Sequence, residues 1–172
     1  MSANPSALTA APAASRIAPP ISASLWLNTP APLTLDQLRG RVLVLHAFQM
    51  LCPGCVSHGL PQAMEIQRTF DPQTITVIGL HSVFEHHDVM TPAALRVFVH
   101  EYRLTFPIAV DQPSENRSLP RTMHAYAMQG TPTLIDARGR IRAQHFGGVS
   151  DLVVGAEIGR LLVERVESPL AV

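Results

Sequence analysis

The run VLVLHAF, Val42–Phe48, is almost wholly apolar and is soon followed by CPGC at positions 52–55, which holds both cysteines of a 172-residue chain. Seven such residues without polar alternation read as a strand covered on both faces, the usual setting of a parallel strand. Residues 53–70 then take up helical spacing, with Leu60, Met64, Ile66 and Phe70 as apolar positions and a break at Gly59, Leu60 and Pro61. The CxxC pair therefore falls where a buried strand gives way to a helix. There the first sulfur meets unpaired peptide N–H groups and the positive end of the helix dipole, which favour a thiolate. Cys52 is accordingly expected to be the acidic, exposed thiol, and Cys55, one turn on, the more buried one. Pro53 suits the first helical turn, and Gly54 is expected to let the backbone stay close. Two thiols three residues apart support a two-step exchange in which Cys52 attacks a disulfide and Cys55 resolves the mixed disulfide.

The remaining chain alternates strand and helix. ITVIGLH at 75–81 is a second strand, and residues 91–102 form a helix with Thr91 as N-cap, Pro92 in the first turn and Leu95, Phe98 and Val99 on one face. FPIAV at 106–110 is a third strand, followed by a Pro- and Ser-bearing loop and a short helix near PRTMHAYA. TPTLIDARGRIRAQHF gives two strands around a turn at Gly139, and residues 151–166 close the chain as a helix expected to bury Leu152, Val153, Ile158, Leu161 and Leu162. This order predicts an α/β fold with a mixed sheet: a parallel part, a C-terminal antiparallel hairpin and helices on both faces. Residues 1–24, mostly Ala, Ser and Pro, read as a flexible tail, and residues 25–168 as one domain.

Composition removes several functions. Thirteen basic and thirteen acidic residues cancel, with no run of like charge, so nucleic acid is not an expected partner. All the cations are Arg, which excludes lysine Schiff-base chemistry. No apolar stretch approaches the length of about 18 residues that spans a bilayer. Prolines interrupt the first 24 residues where a secretory signal needs a continuous apolar centre, so a cytoplasmic location is expected. Met64, Met90, Met123 and Met128 are scattered, as core packing would have them.

Strand, CPGC, helix and the later GTPT at 130–133 together resemble the thioredoxin superfamily over about residues 25–166. LDQLRGRVLVLHAF, VIGLHSVFEHH and GTPTLIDARGRIRAQHFG are most similar to its redoxin and TlpA-like thiol–disulfide oxidoreductases, and to the thioredoxin-like domains joined to NHL repeats. The resemblance implies a three-layer α/β/α sandwich and a cis Pro132 lying against the CxxC. It also implies that the backbone of Thr131 pairs with an incoming peptide, and that protein dithiols or disulfides are the substrates. No bound cofactor is needed, and electrons would come from a system of the thioredoxin-reductase type. Relatives of the TlpA kind often act in the periplasm. In place of the usual Trp before the first cysteine stands Leu51, giving an apolar docking rim. The family's buried acid six residues before that cysteine, often Asn in TlpA-like members, is here His46, which is either a proton relay or a core histidine satisfied by a carbonyl. Glu85, in FEHH, is a second candidate for proton transfer, and His81 reads as structural.

Other chemistries find less support. Cys52, Cys55 and His58 have the spacing CxxCxxH, to which His86 or His87 would add a fourth metal ligand, but no second paired motif accompanies them. A peroxiredoxin would carry PxxxTxxC, whereas Leu45 and Gln49 stand at the corresponding positions. A binding module that keeps the fold without its chemistry is the third alternative. A purely structural disulfide gains little from so short a ring.

Overall fold

The computed structural model describes residues 16–115, 119–128 and 131–167. Seven strands form one mixed sheet: β1 Arg16–Ile17, β2 Ala23–Leu27, β3 Val42–Phe48, β4 Ile75–His81, β5 Ile108–Asp111, β6 Thr133–Ile135 and β7 Arg140–Gln144. Their order is β1-β7-β6-β3-β4-β5-β2. β3, β4 and β5 run parallel, while β6 and β7 form an antiparallel hairpin against β3. Gly139 turns that hairpin with a φ of 74°, a conformation in which a side chain is strained. The helices are α1 Leu60–Thr69, α2 Pro92–Glu101, α3 Arg121–Ala125 and α4 Asp151–Glu167.

Alternation along β3 divides the core. Val42, Val44 and Phe48 face a layer built from Leu60 and Ile66 of α1, Leu95 and Val99 of α2, and Ile158 and Leu161 of α4. Leu43, Leu45 and Ala47 face the opposite layer with Tyr126, Met128 and Ala18. All seven side chains of β3 are buried, as the apolar run requires. Thr91 caps α2 by accepting the Ala94 N–H at 3.2 Å, with Leu95 and Val99 buried beneath. The thioredoxin-like α/β/α arrangement expected from the sequence is therefore the observed one, and the Thr131–Pro132 peptide is cis.

Three local expectations need correction. Residues 16–24, read as the end of a tail, carry strands of the sheet: Arg16 and Ile17 pair with β7, and β2, which begins at Ala23, pairs antiparallel with β5. Tyr126 fastens this segment by donating its hydroxyl to Pro19 O at 2.7 Å, and Arg16 bonds to Tyr126 O. Residues 1–15 lie outside the described residues. In α4, Leu152 and Val153 are exposed and Val154 takes the core position, which moves the buried stripe to 154, 158 and 161, at helical spacing. In α1, Met64 is partly exposed, and Ala63 and Gln62 are buried instead.

Candidate active site

β3 ends at Phe48, and Gln49 O accepts the Cys52 N–H at 3.2 Å, turning the chain into the active-site loop. Residues 55–59 then form a π-helical turn that leads into α1, with the break expected at Gly59 marking the join. Cys52 and Cys55 are disulfide-bonded, with Cα atoms 5.2 Å apart. The peptide N–H of Cys55 donates to the sulfur of Cys52 at 3.2 Å. Such a donor, together with the helix N-terminus, favours negative charge on that sulfur once the disulfide opens. Both cysteines are half-buried, so Cys52 is less exposed than the sequence suggested, and Cys55 packs against the core. Gly54 has ordinary helical angles, and a Cβ there would meet nothing within 4 Å. Its expected role in keeping the backbone close is thus not required, and the surface above the disulfide is left open.

A groove of about 850 Å³ runs beside the disulfide, between the start of α1 and the loop that precedes α4. Cys52, Cys55, His46, Thr131, Phe84 and Phe146 are among the residues that line it. Gln62 joins its two walls, donating to Val149 O at 3.0 Å and to Asp151 Oδ1 at 2.8 Å. Leu51, next to Cys52 in the chain, is exposed, and the exposed Phe84 and Phe146 line the groove.

His46 lies on β3 with its side chain on the helix-covered face, 1% exposed. Its Nδ1 is 2.9 Å from Thr131 Oγ1, which also accepts the Ala47 N–H at 3.0 Å. Its Nε2 is buried without a hydrogen-bond partner among the described residues. Burial lowers the imidazole pKa to about 4, an effect partly offset by the Ala47 peptide and the Gln62 side chain. The hydrogen-bond partner at Nδ1 is thus the Thr131 hydroxyl, and the Ala47 peptide group also acts on the ring. His81 is buried against Phe48 with ring centroids 5.4 Å apart, and desolvation lowers its pKa to about 4 as well.

Glu85 sits on an exposed loop and accepts from Gln49 Nε2 at 2.9 Å. It is not among the residues lining the groove, and its link to the cysteines runs through Gln49. His58 does line the groove, with Nδ1 2.7 Å from Ser57 Oγ, while His86 and His87 are exposed on the Glu85 loop. No group of three or more His, Cys, Asp or Glu side chains suited to a metal ion occurs among the described residues. Gln49, Gly59 and Gln62 are the site residues that sequence reasoning missed. Gly59 alone left a signal, as the break in helical spacing.

A cysteine pair at a helix start, on a mixed sheet of this order in a chain with a cis-prolyl peptide, defines a thiol–disulfide oxidoreductase type of fold. The chain is 53% identical to a thioredoxin-like superfamily protein of known structure, covering 86% of this chain and 96% of that one with a TM-score of 0.82. It is 52% identical to a thiol-disulfide isomerase from Corynebacterium glutamicum, covering 84% and 96% with a TM-score of 0.79. The chain belongs to the thioredoxin-like superfamily. Among curated proteins it is 27% identical over 124 residues to protein DipZ of Mycobacterium bovis, and it matches NHL repeat-containing protein 2 of Gallus gallus over half of its own length. It spans less than a fifth of the length of either, 17% and 12%. No protein-family model matches the chain. No helix among the described residues is long and apolar enough to cross a membrane.

Proposed function

We propose that this chain exchanges electrons with protein dithiols and disulfides through Cys52 and Cys55. The observation that carries the reading is the Cys55 N–H directed at the Cys52 sulfur, at a helix start that opens onto an apolar-rimmed groove. In the reducing direction the Cys52 thiolate attacks a substrate disulfide and forms a mixed disulfide, and the electron pair leaves on the substrate sulfur. Cys55 then attacks Cys52, closing the internal disulfide and releasing the second substrate thiolate. Oxidation of a substrate dithiol is the reverse sequence.

Thr131 and Pro132 form the docking edge beside the cysteines, and the backbone of Thr131 is the strand partner for the substrate segment. Pro53 and Gly54 form the open turn over which that segment passes. His46 is the group that supports charge and proton handling at Cys55, and Glu85 contributes only through Gln49. The name of the C. glutamicum neighbour agrees with this chemistry. The electron donor we assign is a protein dithiol system of the thioredoxin-reductase type. The cytoplasm is the compartment in which such a donor operates.

The deciding experiment is equilibration of the protein across a dithiothreitol or glutathione series, with thiols counted by alkylation and mass. A two-electron transition between about −270 and −120 mV establishes a working disulfide and gives its direction. A pair still oxidised below about −300 mV is a structural bridge and overturns the proposal.

A further inference from the structure

Resting on that reading of the cysteine pair, we propose that the groove selects its substrate by charge. The segment it takes carries a lysine or arginine close to the reacting cysteine. Asp151 is the residue that recognises this cation, and Gln62 is the positioning residue behind it.

The groove has a sign of its own. Two carboxylates, Asp151 and Glu65, line it together with the disulfide, and no arginine does so among the described residues. Acidic and basic residues are equal in number over the whole chain, so the imbalance is local. Arginines gather instead at the far end of the sheet, where Arg138, Arg140, Arg142 and Arg165 line a smaller cavity. That cavity lies by the start of β3, whereas the cysteines follow the end of the same strand.

The two carboxylates are not equivalent. Glu65 is ion-paired with Arg68 at 2.5 Å on the same helix, which offsets its charge. Asp151 is held by an uncharged amide: it accepts from Gln62 Nε2 at 2.8 Å, and the same nitrogen donates to Val149 O at 3.0 Å. Gln62 is buried, so it fixes the carboxylate on the groove wall, while Asp151 itself is exposed to an incoming chain. The carboxylate also covers the first turn of α4, whose positive end would otherwise draw an anion.

Other features of the groove suit the same occupant. The exposed rings of Phe84 and Phe146 offer apolar contact to the stem of a lysine or arginine and attract its charge through their faces. Gly54, Gly147 and Gly148 have nothing within 4 Å of where a Cβ would stand, so an incoming chain meets open backbone. His46, which lines the groove and is 1% exposed, has an Nε2 without a hydrogen-bond partner among the described residues, a polar atom left for a bound segment to satisfy.

Charge acts here on encounter and binding, and the exchange itself is unaltered. The Cys52 thiolate bonds to one sulfur of a substrate disulfide, and the other sulfur leaves as a thiolate with the electron pair. The Cys55 thiolate then bonds to Cys52, and the first substrate sulfur leaves in the same way. Two electrons thus pass to the substrate, and the two protons of the protein dithiol end on the substrate thiols. Glutathione, whose carboxylates outnumber its amine, is a poor partner for such a groove.

The test uses the reduced protein and three small disulfides: cystamine, a dication; bis(2-hydroxyethyl) disulfide, uncharged; and glutathione disulfide, an anion. Each rate at pH 7, followed by alkylation and mass, is divided by the rate of the same disulfide with dithiothreitol, which removes differences in intrinsic reactivity. Expected is cystamine first and glutathione disulfide last, with a span of about tenfold at low salt. At roughly 0.5 M salt the span should shrink to about twofold. Asp151→Asn, which keeps an oxygen for Gln62, should compress the low-salt span by about threefold. Equal normalised rates in the wild type overturn the proposal without any variant, and a span unchanged in Asp151→Asn overturns the role of Asp151. Exchange with none of the three disulfides overturns the functional reading as well, whereas exchange without a charge order overturns this inference alone.

Discussion

Gly59 and His46 are matched across the active site: the imidazole occupies the space where a side chain on residue 59 would begin, with only 2.8 Å between Cε1 and the position of a Cβ. Contacts that close force one partner to move, and neither the β3 backbone nor the helical turn is free to do so. Gly59→Ala is expected to destabilise the protein by about 1–3 kcal/mol, read as a lower urea midpoint. In the double variant with His46→Ala the cost should largely disappear, because the clash has lost its second member. Additive losses would show that the glycine serves the turn alone.

Cys55→Ser should trap substrate proteins as mixed disulfides through Cys52, visible as reducible high-mass bands and as adducts by mass spectrometry. Cys52→Ser should trap none and should lower disulfide reduction by at least about a hundredfold. Reversed behaviour of the two variants would exchange their roles.

Two buried histidines make stability depend on pH. His46 and His81 each titrate near 4 when folded and near 6.5 when unfolded, so between those values the unfolded chain binds more protons. Stability therefore falls as pH drops from 6.5 towards 4, by on the order of 3 kcal/mol for each group, and these two groups add nothing further below that window. In His81→Phe, which keeps a ring against Phe48, the loss measured by urea unfolding at pH 7 and pH 4.5 should be smaller than in the wild type. An unchanged pH dependence would mean that His81 is not held neutral.

Asp111 ends β5 and accepts from Thr122 N at 2.8 Å, Met123 N at 2.9 Å and Ser82 Oγ at 3.1 Å. It thereby fixes the start of α3, whose Met123 lines the groove. Asp111→Ala leaves a buried and a part-buried peptide donor without an acceptor and should cost about 2–4 kcal/mol in thermal or chemical unfolding. Asp111→Asn, which keeps one acceptor, should cost less.

The elements written within a few residues of sequence were legible. β3 and β4 have the bounds their apolar runs suggest, Thr91 caps α2, and Gly139 turns the hairpin. The CxxC at the strand-to-helix change was readable for the same reason. β1 and β2 were not, because two to five partly exposed residues among prolines become strands only by pairing with β7 and β5, far along the chain. The stripe of α4 was misassigned by one position at its start, since helical spacing fixes a periodicity but not which side of the first turn meets the sheet.

His46 shows where the boundary lies. Its place on a buried strand, six residues before the first cysteine, follows from the sequence. Its partner does not: the Thr131 hydroxyl is 85 residues away, and only the pairing of β3 with β6 brings the two together. Gly59 beneath the ring and Gln62 across the groove are likewise set by packing, after α1 settles on the sheet. Local spacing determined the dithiol pair and the elements that carry it, because dihedral preferences and amphipathic patterns act over a few residues. The hydrogen-bonded surroundings of the pair were decided by tertiary structure, because buried polar groups find their partners only when distant segments close over them.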